Sequence, residues 1–136
     1  MDNLTAYRAI KAHFEMPGAR LAKNTDGECY YRCPRDFGPT GPREGDKCSF
    51  GVLIPDDVYV AMKTALVNGP EGRSAGEFIR DCKTHGLGDG IFDNLDTELM
   101  DEIQFQHDTA ISVEDFLSKL DNLMIERGII SSEDQQ

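Results

Sequence analysis

The chain has 136 residues, of which 39% are hydrophobic and 29% charged, with a formal net charge of −11; that length suits one domain with a core of its own, so neither a metal nor disulfides are required for folding. No apolar run approaches the roughly 20 residues needed to cross a bilayer, and Met1–Thr5 followed by Arg8 and Lys11 lacks a secretory apolar stretch, which points to a cytoplasmic, non-membrane protein. The charge is local: residues 1–88 balance twelve acids against twelve bases, while 89–136 carry thirteen acids against Lys119 and Arg127, which argues against direct nucleic-acid binding and for a basic protein partner.

Leu4, Tyr7, Ile10 and Phe14 recur at helical spacing and predict a helix from Leu4 to Phe14, capped by Asn3 and closed by Met16-Pro17-Gly18. Arg20–Lys23 and Cys29–Arg32 read as the strands of a hairpin turning at Asn24-Thr25-Asp26-Gly27, since Asp-Gly accepts the positive backbone angles of tight turns. Pro34–Lys47, dense in proline and glycine, predicts a long loop, and Cys48–Ile54 a third strand stopped by Pro55. Asp56 or Asp57 caps a helix bearing Val58, Met62, Ala65 and Leu66. Ser74-Ala75-Gly76-Glu77 has the spacing of a capping box for a short helix over Ala75–Cys82. After the Gly86–Gly90 break, Asn94 is read as the cap of a helix to Gln106, buried through Leu95, Leu99, Met100 and Ile103. Ser112 starts a last helix whose Phe116, Leu117, Leu120, Leu123 and Met124 face inward, with Gly128 as its stop. The expectation is an α+β domain over 1–130, a short antiparallel sheet of two or three strands packed against four or five helices, followed by a flexible acidic tail at 131–136.

Without a secretory start the four cysteines read as thiols, ligands or small buried hydrophobes. Cys29, Cys33 and Cys48, with Cys82 or His85 as a fourth donor, form the candidate zinc set, because a three-residue gap lets two thiolates converge and the long loop returns a third. Cys82 with His85, or Cys48 with His13 or His107, are the pairings a cysteine nucleophile would need. Asp101, Glu102, Asp108, Glu114 and Asp115 are abundant enough for acid–base or divalent-cation chemistry but show no defining spacing, and His107-Asp108 is too short a pattern to define a metallohydrolase. Gly86, Gly88 and Gly90 lack the lysine and hydroxyl residue of a phosphate-binding loop. Arg35, Phe37, Arg43 and Lys47 offer single-stranded nucleic acid a cationic and aromatic loop, diluted by Asp36, Glu44 and Asp46.

The block Lys47-Cys48-Ser49-Phe50-Gly51-Val52-Leu53-Ile54-Pro55-Asp56-Asp57-Val58-Tyr59 resembles one found in small, mostly uncharacterised bacteriophage and prophage proteins, as do Ala12-His13-Phe14, Cys29-Tyr30-Tyr31-Arg32 and Gln106-His107-Asp108 in their order along the chain. The pattern in that group often has a cysteine where Val52 stands, and Cys33 is additional here. The resemblance implies a phage origin and a site of action in host cytoplasm. Joined to the charge, it favours a non-enzymatic interaction module whose acids Asp96, Glu98, Asp101, Glu102, Asp108, Glu114, Asp115 and Asp121 meet a basic host surface, as in inhibition of a nucleic-acid-acting or defence protein. A small zinc-dependent or cysteine-dependent enzyme is the alternative.

Overall fold

The computed structural model describes residues 1–23, 29–39 and 41–131; the turn expected at Asn24–Gly27 and the tail beyond Ser131 lie outside the described residues. Among the described residues there are five helices, α1 (Asn3–Glu15), α2 (Asp56–Ala65), α3 (Ala75–Thr84), α4 (Thr97–Thr109) and α5 (Val113–Glu126), with one 3-10 turn at Phe50–Leu53. The expected α+β architecture is therefore wrong. Among the described residues there is no strand, only an isolated antiparallel bridge between Lys23 and Cys29.

The reason lies in where the backbone donors go. Adjacent strands need their N–H groups for one another, yet here the Ala22 N–H donates to the His107 ring at 3.2 Å. The Tyr31 and Arg32 N–H groups donate to the Glu71 carboxylate at 2.6 and 3.1 Å, and the Phe50 N–H donates to the Gln104 carbonyl at 3.2 Å. A few cross-chain backbone bonds survive, such as Tyr30 to Ala22 at 2.9 Å and Cys48 to Tyr30 at 3.0 Å. They hold the segments side by side without making a ladder.

The third expected strand, Cys48–Ile54, instead forms a 3-10 turn, since a short and largely buried apolar run has no period that specifies a strand over a helix. Gly51 permits the tight turn: a Cβ there would stand 2.2 Å from the Tyr31 carbonyl oxygen. That close approach admits glycine alone.

Helix starts follow local chemistry closely, though some caps shift. Asp2, not Asn3, caps α1, accepting from the Thr5 N–H at 2.8 Å; Asn3 instead accepts from the Asp96 N–H at 3.0 Å and ties α1 to the start of α4. Pro55 precedes α2, leaving Asp56 and Asp57 in its first turn. The α3 capping box is present, with Ser74 and Glu77 each accepting from the other's backbone N–H. Asn94 adopts φ 74°, a left-handed conformation that asparagine tolerates, and Asp96 is the true cap of α4. Ser112 caps α5 as expected.

Helix α1 packs on the 3-10 turn and α5, while α4 joins α3 to α5. One core runs from Ala6 to Ile130. Tyr31, Phe50, Phe78 and Phe92 form one aromatic cluster; Phe14 and Phe116, 5.0 Å apart, form another with His107. Truncating Phe14 or Phe116 to alanine would cost about 3–5 kcal/mol, because neither cluster can collapse around the lost ring.

Candidate metal centre

Helix α4 carries His107 inward and Asp108 to its edge, next to the chain segment that brings in Cys29. The imidazole is fully buried between Phe14 and Phe116, with ring centroids at 5.7 and 5.6 Å. Its Nε2 accepts the Ala22 N–H, so the ring proton belongs to Nδ1, which lies 2.9 Å from Asp108 Oδ1 and donates to it. The same oxygen accepts from Gln104 Nε2 at 2.7 Å. Gln104 cannot turn its amide round, because its carbonyl already accepts from Ser49 Oγ at 2.9 Å and from the Phe50 N–H.

Donor atoms of Cys29, His107 and Asp108 all lie within 4.8 Å of one another, which makes the trio a cluster able to hold a metal ion loosely, zinc included. Burial pushes the Cys29 thiol up to about 12, with its hydrogen bond to Asp108 acting in the same direction. Burial also opposes ionisation of Asp108, but hydrogen bonds from His107, Cys29 and Gln104 outweigh it and hold that carboxyl below its ordinary value. The carboxylate is thus charged at neutral pH while the thiol keeps its proton. A nucleophilic thiolate is disfavoured here, whereas a cation would drive the proton off and bind the sulfur.

Cys29 and Asp108, with His107 buried behind them, line a cavity of about 290 Å³ together with Cys48, Glu71, Arg73 and Gln104, among others. Glu71 and Arg73 are committed to structure. The Glu71 carboxylate accepts the Tyr31 and Arg32 N–H groups and the Tyr59 hydroxyl, and Arg73 donates to Asp81 at 2.8 Å.

Of the zinc set expected from the sequence, Cys29, Cys33, Cys48, Cys82 and His85, only Cys29 enters this cluster. Cys48 lines the same cavity, but its sulfur is fully buried and accepts the Gly51 N–H at 3.4 Å. Cys33 donates to the Arg35 carbonyl at 3.1 Å. Cys82 packs among Ile79, Leu87 and Phe92, its thiol raised to about 11 by burial; His85 is an exposed C-cap of α3. Sequence reasoning set Cys29 and His107-Asp108 apart, because no spacing rule links a ligand to a pair 78 residues later in the chain. The adjacent His-Asp pair was the available signal.

Six of the eight acids expected to face a partner have work inside the chain. Asp96 caps α4, and Asp101 accepts the Ala75 N–H at 2.9 Å. Glu102 pairs with Arg127, and Asp108 belongs to the cluster. Asp115 accepts the Ile111 N–H at 3.0 Å and pairs with Lys119. Asp121 accepts from Tyr7 at 2.7 Å and Lys11 at 3.2 Å. Glu98 and Glu114 are exposed. In the long loop, Arg35 lies over Phe37, whose ring stacks on Tyr30 at 5.6 Å.

Among the described residues no helix is long and apolar enough to cross a membrane. Comparison with protein-family models, with curated proteins and with solved structures gives no match in any of the three.

Proposed function

We propose that this chain is a small zinc-dependent enzyme whose cation sits between Cys29 and Asp108, with His107 orienting the carboxylate from behind. The convergence of Cys29, His107 and Asp108, with Cys29 and Asp108 lining a cavity, carries this reading. His107 acts through its Nδ1 proton rather than as a direct ligand. With Nε2 occupied by the Ala22 N–H, ligation through Nδ1 would require an imidazolate or the loss of a buried backbone hydrogen bond. The ring is instead a carboxylate-orienting donor of the kind that commonly supports metal sites. His107 and Gln104 both donate to Oδ1, which leaves the second carboxylate oxygen for the cation.

Two protein donors are one fewer than the three of the usual catalytic zinc site, so a bound cation would keep positions open for water or substrate and would be held loosely. A cation there supplies Lewis-acid polarisation of a carbonyl or phosphoryl oxygen. The residues of this chain hold it, keep Asp108 ionised and fix the direction of its lone pairs.

The test is zinc stoichiometry and affinity by chelator competition, together with zinc-dependent turnover of carboxylic and phosphoric esters. Wild type should retain one zinc per chain. Cys29→Ser and Asp108→Asn should lose it, and His107→Phe, which keeps the ring packing, should weaken it about 10- to 100-fold. Cys82→Ser should change nothing. Zinc binding indifferent to Cys29→Ser would sink the site, and zinc held without turnover of any ester would remove the enzymatic reading.

A further inference from the structure

Lys23 reaches across to the end of α4 that bears the metal cluster. Its ammonium donates to the Asp108 carbonyl at 2.9 Å and also to the Ala110 carbonyl. The last carbonyls of a helix have no partner within it, and a lysine placed there satisfies them and meets the negative end of the helix dipole. Helix α4 stops at Thr109 with Ala110 as its C-cap, whose N–H turns back to the His107 carbonyl at 3.3 Å. The turn that carries His107 and Asp108 is therefore closed from inside by Ala110 and from outside by Lys23. The same residue also adjoins the second ligand. The backbone of Lys23 forms the antiparallel bridge with Cys29, and the preceding Ala22 N–H lies on His107 Nε2 at 3.2 Å. Ala22 thus holds the imidazole, Lys23 holds the Asp108 main chain, and the Cys29 thiol bonds the Asp108 carboxylate. The charge of Lys23 favours ionisation of that thiol, against burial and the charge of Asp108.

We infer that Lys23 is a positioning residue of the proposed zinc site, fixing the main chain of Asp108 relative to Cys29 so that carboxylate and sulfur face one cation. The inference rests on the zinc reading and adds to it a side chain that touches neither metal nor substrate. A cation needs both donors at bonding distance, roughly 2.0–2.3 Å, at the same time. A last turn free to fray would let Asp108 drift from Cys29, and affinity would fall with both ligands still present. The ammonium carries this role rather than the stem, because two carbonyls at separate positions require a group with more than one proton to give, and lysine has three.

Zinc affinity by chelator competition and the absorption spectrum of the cobalt-substituted protein, both on the full chain, are the test. Lys23→Met keeps the stem and loses the donors; it should bind zinc about tenfold more weakly than wild type, with shifted cobalt bands as the carboxylate loses its fixed direction. Lys23→Arg restores the charge and several donors, and should recover most of the affinity and the wild-type spectrum. Lys23→Gln, with an uncharged donor on a shorter stem, should fall between the two and serves where Lys23→Met does not fold. Asp2→Ala removes the cap of α1, away from the cluster, and should lower stability while leaving affinity and spectrum as in wild type. Wild-type affinity and an unchanged cobalt spectrum in Lys23→Met overturn the inference and leave the zinc site standing. A loss that Lys23→Arg does not recover, or that Asp2→Ala reproduces, overturns it too, since Lys23 is then a helix cap and nothing more. Wild type that binds no zinc removes the zinc reading and this inference with it.

Discussion

Helices α4 and α5 bond their own backbone turn by turn, whereas the described residues from Ala19 to Ile54 contain one isolated bridge and one short 3-10 turn and rely on side chains that reach them from elsewhere. His107 and Gln104 come from α4, and Glu71 from the connection between α2 and α3. The helical region spreads its stability over many similar bonds. The irregular region concentrates its stability in a few polar side chains, and two of them, Glu71 and Gln104, line the cavity beside Cys29 and Asp108. Stability and site geometry are therefore linked on one side of the molecule and separable on the other.

The sharpest way to break the comparison is Glu71→Ala. It strands the Tyr31 and Arg32 N–H groups and the Tyr59 hydroxyl in a part-buried region, and should cost about 3 kcal/mol in urea denaturation. Glu71→Gln keeps one acceptor oxygen and should recover about half of that loss. If Glu71→Ala unfolded at the wild-type urea concentration, the claim that side chains stand in for a sheet would be wrong.

A smaller effect belongs to the helical side. Ser74→Ala removes the α3 cap and should cost about 1 kcal/mol, with faster amide exchange in the first turn of α3 and none at Tyr31 or Phe50. The cap also has a pH signature. Bonds from the Ser74 backbone, and then from its side chain, hold the Glu77 carboxyl below its ordinary value of 4.5. A group whose folded-state pKa is depressed stabilises fully above its unfolded value and loses that contribution as pH falls through the lowered one. Below pH 4.5, wild type should therefore lose stability more steeply than Glu77→Gln, which keeps the shape of the box but cannot ionise. Parallel curves in urea denaturation across that window would show that the box does not tune Glu77.

The helices were legible in the sequence because each carries a 3.6-residue apolar stripe and a polar residue where the backbone donors begin; Ser74, Ser112 and the Leu4–Phe14 stripe needed nothing from the rest of the fold. The Pro34–Lys47 loop was read correctly among its described residues, but the expected strands Arg20–Lys23, Cys29–Arg32 and Cys48–Ile54 were not, because their conformation is decided by side chains far along the chain. Tyr30 and Tyr31 suit strands by propensity, yet the amide of Tyr31 is taken by Glu71, 40 residues later. The metal cluster was half visible for the same reason. His107-Asp108 stands out as a pair, but Cys29 reaches it only through the tertiary fold, in which the Ala22 N–H lies on the imidazole. The cysteine set failed as a guide because Cys33, Cys48 and Cys82 are each buried for packing or for a local hydrogen bond.

The smallest expected effect sharpens the question of the acidic surface. Reversing Asp101 would remove the acceptor at the Ala75 N–H, and reversing Asp121 would break its bonds to Tyr7 and Lys11, so lost partner capture by either variant would mix recognition with folding. Glu98 and Glu114 have no such role, both being exposed on the first turns of α4 and α5. Changing both to lysine should move the unfolding free energy by no more than about 0.5 kcal/mol, with the slight loss expected from placing cations at helix N-termini. A basic protein that recognises this surface should then bind the double variant more weakly and with a shallower salt dependence, while the fold and the zinc stoichiometry stay as in wild type. Affinity unchanged by this pair would confine any acidic interface to carboxylates already holding the fold together, where a partner would have to compete with the chain's own hydrogen bonds.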